Sequence, residues 1–181
     1  MSSDVLRGKA ALVTGGGSGI GRACASALAR DGAVVTIAGR SEARLRDAAA
    51  ALASELGCAV HWAPCDVTDE AAVERAVARA AEPLGGLHIA VANAGGGAGG
   101  PLLSTGLDMW RYVMDVNVTG TFLTVKHAGQ AMVRSGGGAI VAMSSIAGVL
   151  THRLMAPYCT SKAAVEMLVR CVSTASDSVR P

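Results

Sequence analysis

The chain has 181 residues, 51% of them hydrophobic, which is enough for one sizeable core and too few for two ordinary domains. Lys and Arg number 16 against 14 acids, and the net charge of +2 gives no broad basic field for nucleic acid or an anionic membrane. Met1 to Arg7 holds an acid and a base where an export signal needs an apolar core, so a single cytoplasmic domain is expected.

Apolar runs rich in valine and isoleucine alternate with alanine-rich amphipathic stretches, the pattern of parallel strands joined by crossover helices. The first strand, near 9–14, runs into Thr14-Gly15-Gly16-Gly17-Ser18-Gly19-Ile20-Gly21, and a helix over 19–31 follows. Glycines let the backbone turn tightly, while unpaired N–H groups and the positive end of the helix dipole suit a pyrophosphate. The spacing is G-x-x-x-G-x-G. It is not G-x-G-x-x-G, because Ile20 stands where the third glycine would fall.

A second strand near 33–38 ends at Ala38-Gly39-Arg40-Ser41, without the acid that accepts hydrogen bonds from the ribose hydroxyls of NAD. Arg40 can pair instead with the 2′-phosphate of NADP, so NADP is the expected cofactor and NAD the alternative. The rival reading of Arg40 is a solvated surface arginine. Ser41 caps a helix over 41–56, a third strand follows near 58–63, and Thr68 or Asp69 caps a helix over 69–82. The uncharged stretch from Ile89 to Leu107 contains six glycines and one proline, which suits a strand near 87–92 and a loop at 95–100 better than a membrane helix. A long helix over 107–134 with Asp108 as cap, a strand near 138–144 and a helix over 157–172 complete the series.

Right-handed crossovers make these strands one twisted sheet with helices on both faces, a doubly wound α/β fold whose ligand crevice opens at the strands' C-terminal ends. Tyr158 and Lys162, four residues apart on the last helix, share a face there. A free tyrosine titrates near pH ~10, so proton exchange at neutral pH needs a positive charge close by, which Lys162 supplies. The five cysteines (Cys24, Cys58, Cys65, Cys159, Cys171) form no C-x-x-C and read as small core residues. The four histidines share no cluster with acids, so no metal is expected; His152 and Arg153 read as a solvent-facing loop.

The Gly-rich turn resembles that of the short-chain dehydrogenase/reductase family. The resemblance extends through Asn93-Ala94-Gly95, through Asn117 in Val116-Asn117-Val118-Thr119-Gly120, and through Ser144-Ser145 to Tyr158 and Lys162. It implies a Rossmann-like oxidoreductase that moves hydride between NADP(H) and a carbonyl or secondary alcohol. In that reading Tyr158 is the acid or base, Lys162 assists it and binds the nicotinamide ribose, Ser145 holds the substrate oxygen, and Asn117 positions a water. Gly15, Ser18, Gly19, Ile20, Gly21 and Arg40 would contact the cofactor, with Asp66 and Val67 flanking the adenine and Asn93, Ala94 and Gly95 forming the turn that stabilises the central strands beside the cofactor. For Asp66, a helix-capping role stands equally open.

Family members continue into two more strands and a substrate-binding segment, whereas this sequence stops at Pro181. The serine-rich stretch from Cys171 to Pro181 is expected to form neither helix nor strand. The expectations are therefore an incomplete sheet with an exposed edge, a homo-oligomer if a longer chain exists, and small-molecule rather than nucleic-acid or membrane partners. The alternative function is a nucleotide-binding or interaction module without turnover.

Overall fold

Valine, isoleucine and alanine fill the strands of the computed structural model, which describes residues 4–97 and 99–175. The strands are β1 (Ala10–Thr14), β2 (Val34–Gly39), β3 (Val60–Pro64), β4 (Ile89–Ala92) and β5 (Ala139–Ala142). They form one sheet in the order β3-β2-β1-β4-β5, and all four pairings are parallel. After building outward through β2 and β3, the chain returns to place β4 beside β1. Crevices open at such switch points, between the loops that leave neighbouring strands in opposite directions.

β1 is buried on both faces. Ala11 and Val13 pack with Ala25 and Ala29 of α1 (Gly19–Arg30) and with Leu45 and Leu52 of α2 (Glu42–Leu56). Leu12 faces the opposite way, toward Val73 and Val77 of α3 (Glu70–Ala81) and Leu123 and Met132 of α5 (Gly120–Arg134). The period-2 alternation of side chains thus feeds two cores, one on each face. Helices α4 (Leu107–Met114) and α6 (Ala156–Ala175) pack against one another. β5 is the outer strand of the described sheet, and Val141 is exposed on it.

Several expectations need correction. The helix expected over 107–134 is interrupted by a π-helical turn, Asp115–Thr119, between α4 and α5. The Gly120 N–H reaches back five residues to the Asp115 carbonyl, and the widened turn carries Asn117 into a fully buried position. Asp108 does not cap α4: Gly106 occupies that place, and Asp108 lies in the first turn. Asp69 rather than Thr68 caps α3, its carboxylate accepting from the Ala71 and Ala72 amides. Helix α6 extends to Ala175, so the stretch from Cys171 begins as helix. Ser173 Oγ donates to the Val169 carbonyl 2.8 Å away, and an exposed helix end needs no apolar periodicity. Residues 176–181 lie outside the described part. Of the cysteines only Cys65 is fully buried, and Cys171 is exposed on the outer side of α6.

Candidate active site

The turn from β1 to α1 depends on two glycines. Gly15 adopts a left-handed φ of +66°, and a Cβ there would stand 2.8 Å from Asn93 Nδ2. A Cβ on Gly21 would stand 2.4 Å from the Gly15 carbonyl oxygen and 2.5 Å from Asn93 Nδ2. The turn, the first turn of α1 and the end of β4 therefore interlock with no room for a side chain. Asn93 Nδ2 donates to the Thr14 carbonyl at 3.0 Å, while Thr14 Oγ1 accepts from the Asn93 and Ala94 amides at 3.1 Å each. These bonds tie the ends of β1 and β4 together beneath the crevice.

Ser18 is the N-cap of α1 but its side chain makes no capping bond, and the first turn holds no acid. That helix end consequently presents unpaired N–H groups and a hydroxyl without a compensating negative charge. It opens into a cleft of about 760 Å³. Of the residues expected at the cofactor, Gly15, Ser18, Gly19, Ile20, Gly21, Arg40, Asp66, Val67, Asn93, Ala94 and Gly95 line this cleft, whereas Tyr158 and Lys162 are not part of its lining. Ser41, Arg44, Leu45, Cys65 and Val116 also line it and escaped the sequence reading.

Asp66 does not cap α3, whose N-cap is Asp69. Asp66 Oδ1 accepts from the Thr68 amide at 3.0 Å and the Thr68 hydroxyl at 2.8 Å, an Asx turn leading into α3, while the residue also faces the cleft. The Thr68 hydrogen bonds, with a smaller contribution from the Arg40 charge, hold its carboxyl below the usual carboxylate range. Cys65 beside it is pushed the other way, to about 11, chiefly by burial.

At the other side of Gly95, three elements meet. Lys162 is 5% exposed; its ammonium donates to the Met143 carbonyl at 2.7 Å and lies 5.7 Å from the centre of the Tyr158 ring. Burial pushes its pKa below the ordinary lysine value. From where a Cβ on Gly95 would sit, Asn117 Oδ1 is 3.0 Å away and Lys162 Nζ 3.6 Å. Asn117 Oδ1 accepts from the Gly96 amide, and its Nδ2 donates to the Gly96 carbonyl and to Ser161 Oγ, so both side-chain N–H groups are engaged. Ser161, which donates in turn to the Tyr158 carbonyl at 2.7 Å, is a supporting residue the sequence reading missed.

Ser145 caps the short 3₁₀ turn Ile146–Gly148, accepting from the Ala147 amide at 3.2 Å, which leaves its O–H proton for another acceptor. Ser144 turns away, its hydroxyl shared between Glu166 Oε1 at 3.0 Å and the Lys162 carbonyl at 3.2 Å. The arrangement combines a helix end without a side-chain cap, two arginines, and a phenol near a buried ammonium at the C-terminal ends of the strands. A dinucleotide fits it: the glycine cradle admits a phosphate backbone, and the uncapped helix end provides its donors.

The family model described as short chain dehydrogenase matches residues 9–178. An uncharacterized oxidoreductase of Staphylococcus aureus is 35% identical over 166 residues, covering 92% of this chain and 71% of the relative. A short-chain type dehydrogenase/reductase from Mycobacterium marinum superposes with a TM-score of 0.90 at 37% identity, covering 96% of this chain and 72% of that one. A short chain dehydrogenase/reductase from Burkholderia phymatum, solved in complex with NAD, gives a TM-score of 0.88 at 33% identity, over 92% of this chain and 59% of that one.

Proposed function

This chain belongs to the short chain dehydrogenase family, and from that premise we propose that it transfers hydride between NADP(H) and a carbonyl or secondary alcohol. The observation that carries the reading is the buried Lys162, whose ammonium lies 5.7 Å from the centre of the Tyr158 ring and also close to Gly95, a residue of the cleft lining. When bound, the nicotinamide supplies or accepts the hydride. The chain's own residues do the rest.

In this reading the Gly15–Gly21 turn and the N-terminus of α1 hold the pyrophosphate, and Asp66 and Val67 flank the adenine. Arg40 faces the 2′-phosphate that distinguishes NADP from NAD; the lack of an acid at the end of β2 supports that preference. Ser145 donates to the substrate oxygen, and Tyr158 gives or takes the proton at that oxygen. Lys162 places a positive charge beside the phenol, oriented by its bond to Met143. Asn117 and Ser161 keep the Gly96 loop and the start of α6 at a set separation, so that the acid and the cofactor cleft stay aligned. The near-neutral net charge favours a small-molecule partner, and no helix among the described residues is long and apolar enough to cross a membrane.

Tyr158→Phe tests the assignment. NADPH binding, followed by fluorescence titration, should stay near the parent's while ketone-dependent NADPH oxidation falls by at least about 100-fold, the scale of a lost general acid. Parent-level turnover in that variant would overturn the proton-transfer role. NADPH binding by the parent chain without turnover of any carbonyl would favour a nucleotide-binding module instead.

A further inference from the structure

Two loops leave the sheet edge beside Tyr158, one after β4 and one after β5. They are joined where the Gly100 amide donates to the Leu154 carbonyl at 2.7 Å. Gly97 of the first loop lies against the Tyr158 ring, its Cβ position 3.6 Å from Cδ2, and Ile146 of the second follows Ser145 directly. Leu102, Leu103, Ile146, Val149, Leu150 and Leu154 on these loops are all more than half exposed. Leu154 holds a left-handed φ of +63°, a conformation leucine adopts only when its surroundings impose it.

The exposed polar side chains of the second loop are gathered in Thr151-His152-Arg153, between Leu150 and Leu154, and the first loop offers fewer. The Ser104 and Thr105 hydroxyls both donate to the Pro101 carbonyl, and Arg153 is the only permanently charged side chain in either loop. A polyol or sugar laid across this surface would find its hydroxyls facing leucine, valine and isoleucine, whereas an apolar chain would bury them.

We infer that the substrate is a lipophilic ketone or secondary alcohol, its apolar substituent lying against exposed apolar side chains of these two loops, with Leu154 held at their junction. The inference rests on the carbonyl reaction proposed above. The test uses the full chain with NADPH and the series 2-butanone, 2-hexanone and 2-octanone, with 1,3-dihydroxyacetone as the polar comparison.

We expect kcat/KM to rise about two- to fourfold per added methylene, following the transfer of each CH₂ from water. Leu154→Asn keeps a residue that tolerates the left-handed φ and should flatten the series. Val133→Ser, an exposed site near the end of α5, should leave it unchanged. A flat series in the parent, preference for dihydroxyacetone, or an undiminished slope in Leu154→Asn would overturn this inference while the carbonyl reaction stands. Failure of every ketone to react despite measured NADPH binding would overturn the carbonyl reaction and this inference with it.

Discussion

Gly21→Ala should damage both the fold and the cleft, and the size of the effect follows from what the new methyl would meet. Its Cβ would lie 2.4 Å from the Gly15 oxygen and 2.5 Å from Asn93 Nδ2, whereas carbon contacts of this kind settle near ~3.4–4 Å. Neither neighbour is the loose end of a flexible chain: one is backbone, and the other is fixed by its 3.0 Å bond to the Thr14 carbonyl. Relief therefore requires the turn to shift by roughly 1 Å, at the usual overpacking cost of about 1–3 kcal/mol, with about 1 kcal/mol more if the Asn93 bond breaks. Alanine's better helix propensity returns up to about 1 kcal/mol at this position in α1. The net expectation is a loss of about 1–3 kcal/mol, or roughly 2–12 °C in melting temperature for a chain of this size. NADPH affinity should fall about tenfold or more because the same shift moves the phosphate donors. Gly129→Ala is the control: it lies in α5 outside the cleft lining, and the nearest atom a Cβ there would meet, Ile140 Cδ1, is 4.0 Å away. Thermal melting and NADPH titration on the two variants decide the matter. If Gly21→Ala melted within about 1 °C of Gly129→Ala and bound NADPH equally, the close interlock of turn, helix and β4 would be refuted.

Arg40→Ala should weaken NADPH about 5- to 30-fold and leave NADH nearly untouched, the lower range of a charge-assisted bond from an exposed arginine with Arg44 still present. Equal losses for both cofactors would remove Arg40 from the 2′-phosphate. Asn117→Ala strands the amide and carbonyl of Gly96 and the Ser161 hydroxyl, so urea unfolding should report a loss of about 2–4 kcal/mol; a change below about 0.5 kcal/mol would contradict the clamp. Lys162 carries a pKa below 10.5 because of burial, so over the interval between its folded value and 10.5 the unfolded chain binds more protons than the folded one. Stability contributed by this group therefore rises with pH through that interval. The difference in unfolding free energy between the parent and Lys162→Met, measured from pH 8 to about 10.5, should shift in the parent's favour as pH rises; a constant difference would argue that the ammonium is not desolvated.

Much of this protein is legible in its amino-acid sequence. The alternation of apolar runs with alanine-rich amphipathic stretches specifies parallel strands and crossover helices because side-chain periodicity is a local property. All five strands fall within a few residues of their expected places for that reason. The glycine turn was legible too, since it lies directly between a strand and a helix start and its chemistry is contained in eight consecutive residues. Less could be read where the deciding contact comes from elsewhere in the chain. The π turn around Asn117 accompanies that side chain's bonds to Gly96 and to Ser161, 21 and 44 residues away, and the local run reads as plain helix. Ser161 and Arg44 looked like ordinary helix residues until packing turned one toward Asn117 and the other into the cleft. The core reading of the cysteines holds for Cys65 and for Cys24 and Cys58, which pack against the core, and fails for Cys171, because burial depends on which face of a finished helix meets the core. By itself, then, the sequence determined the order of the strands and main helices and which residue types stand at the strand ends. Only the tertiary structure decided which side chains converge there, because convergence is set by sheet order and helix packing between residues far apart along the chain.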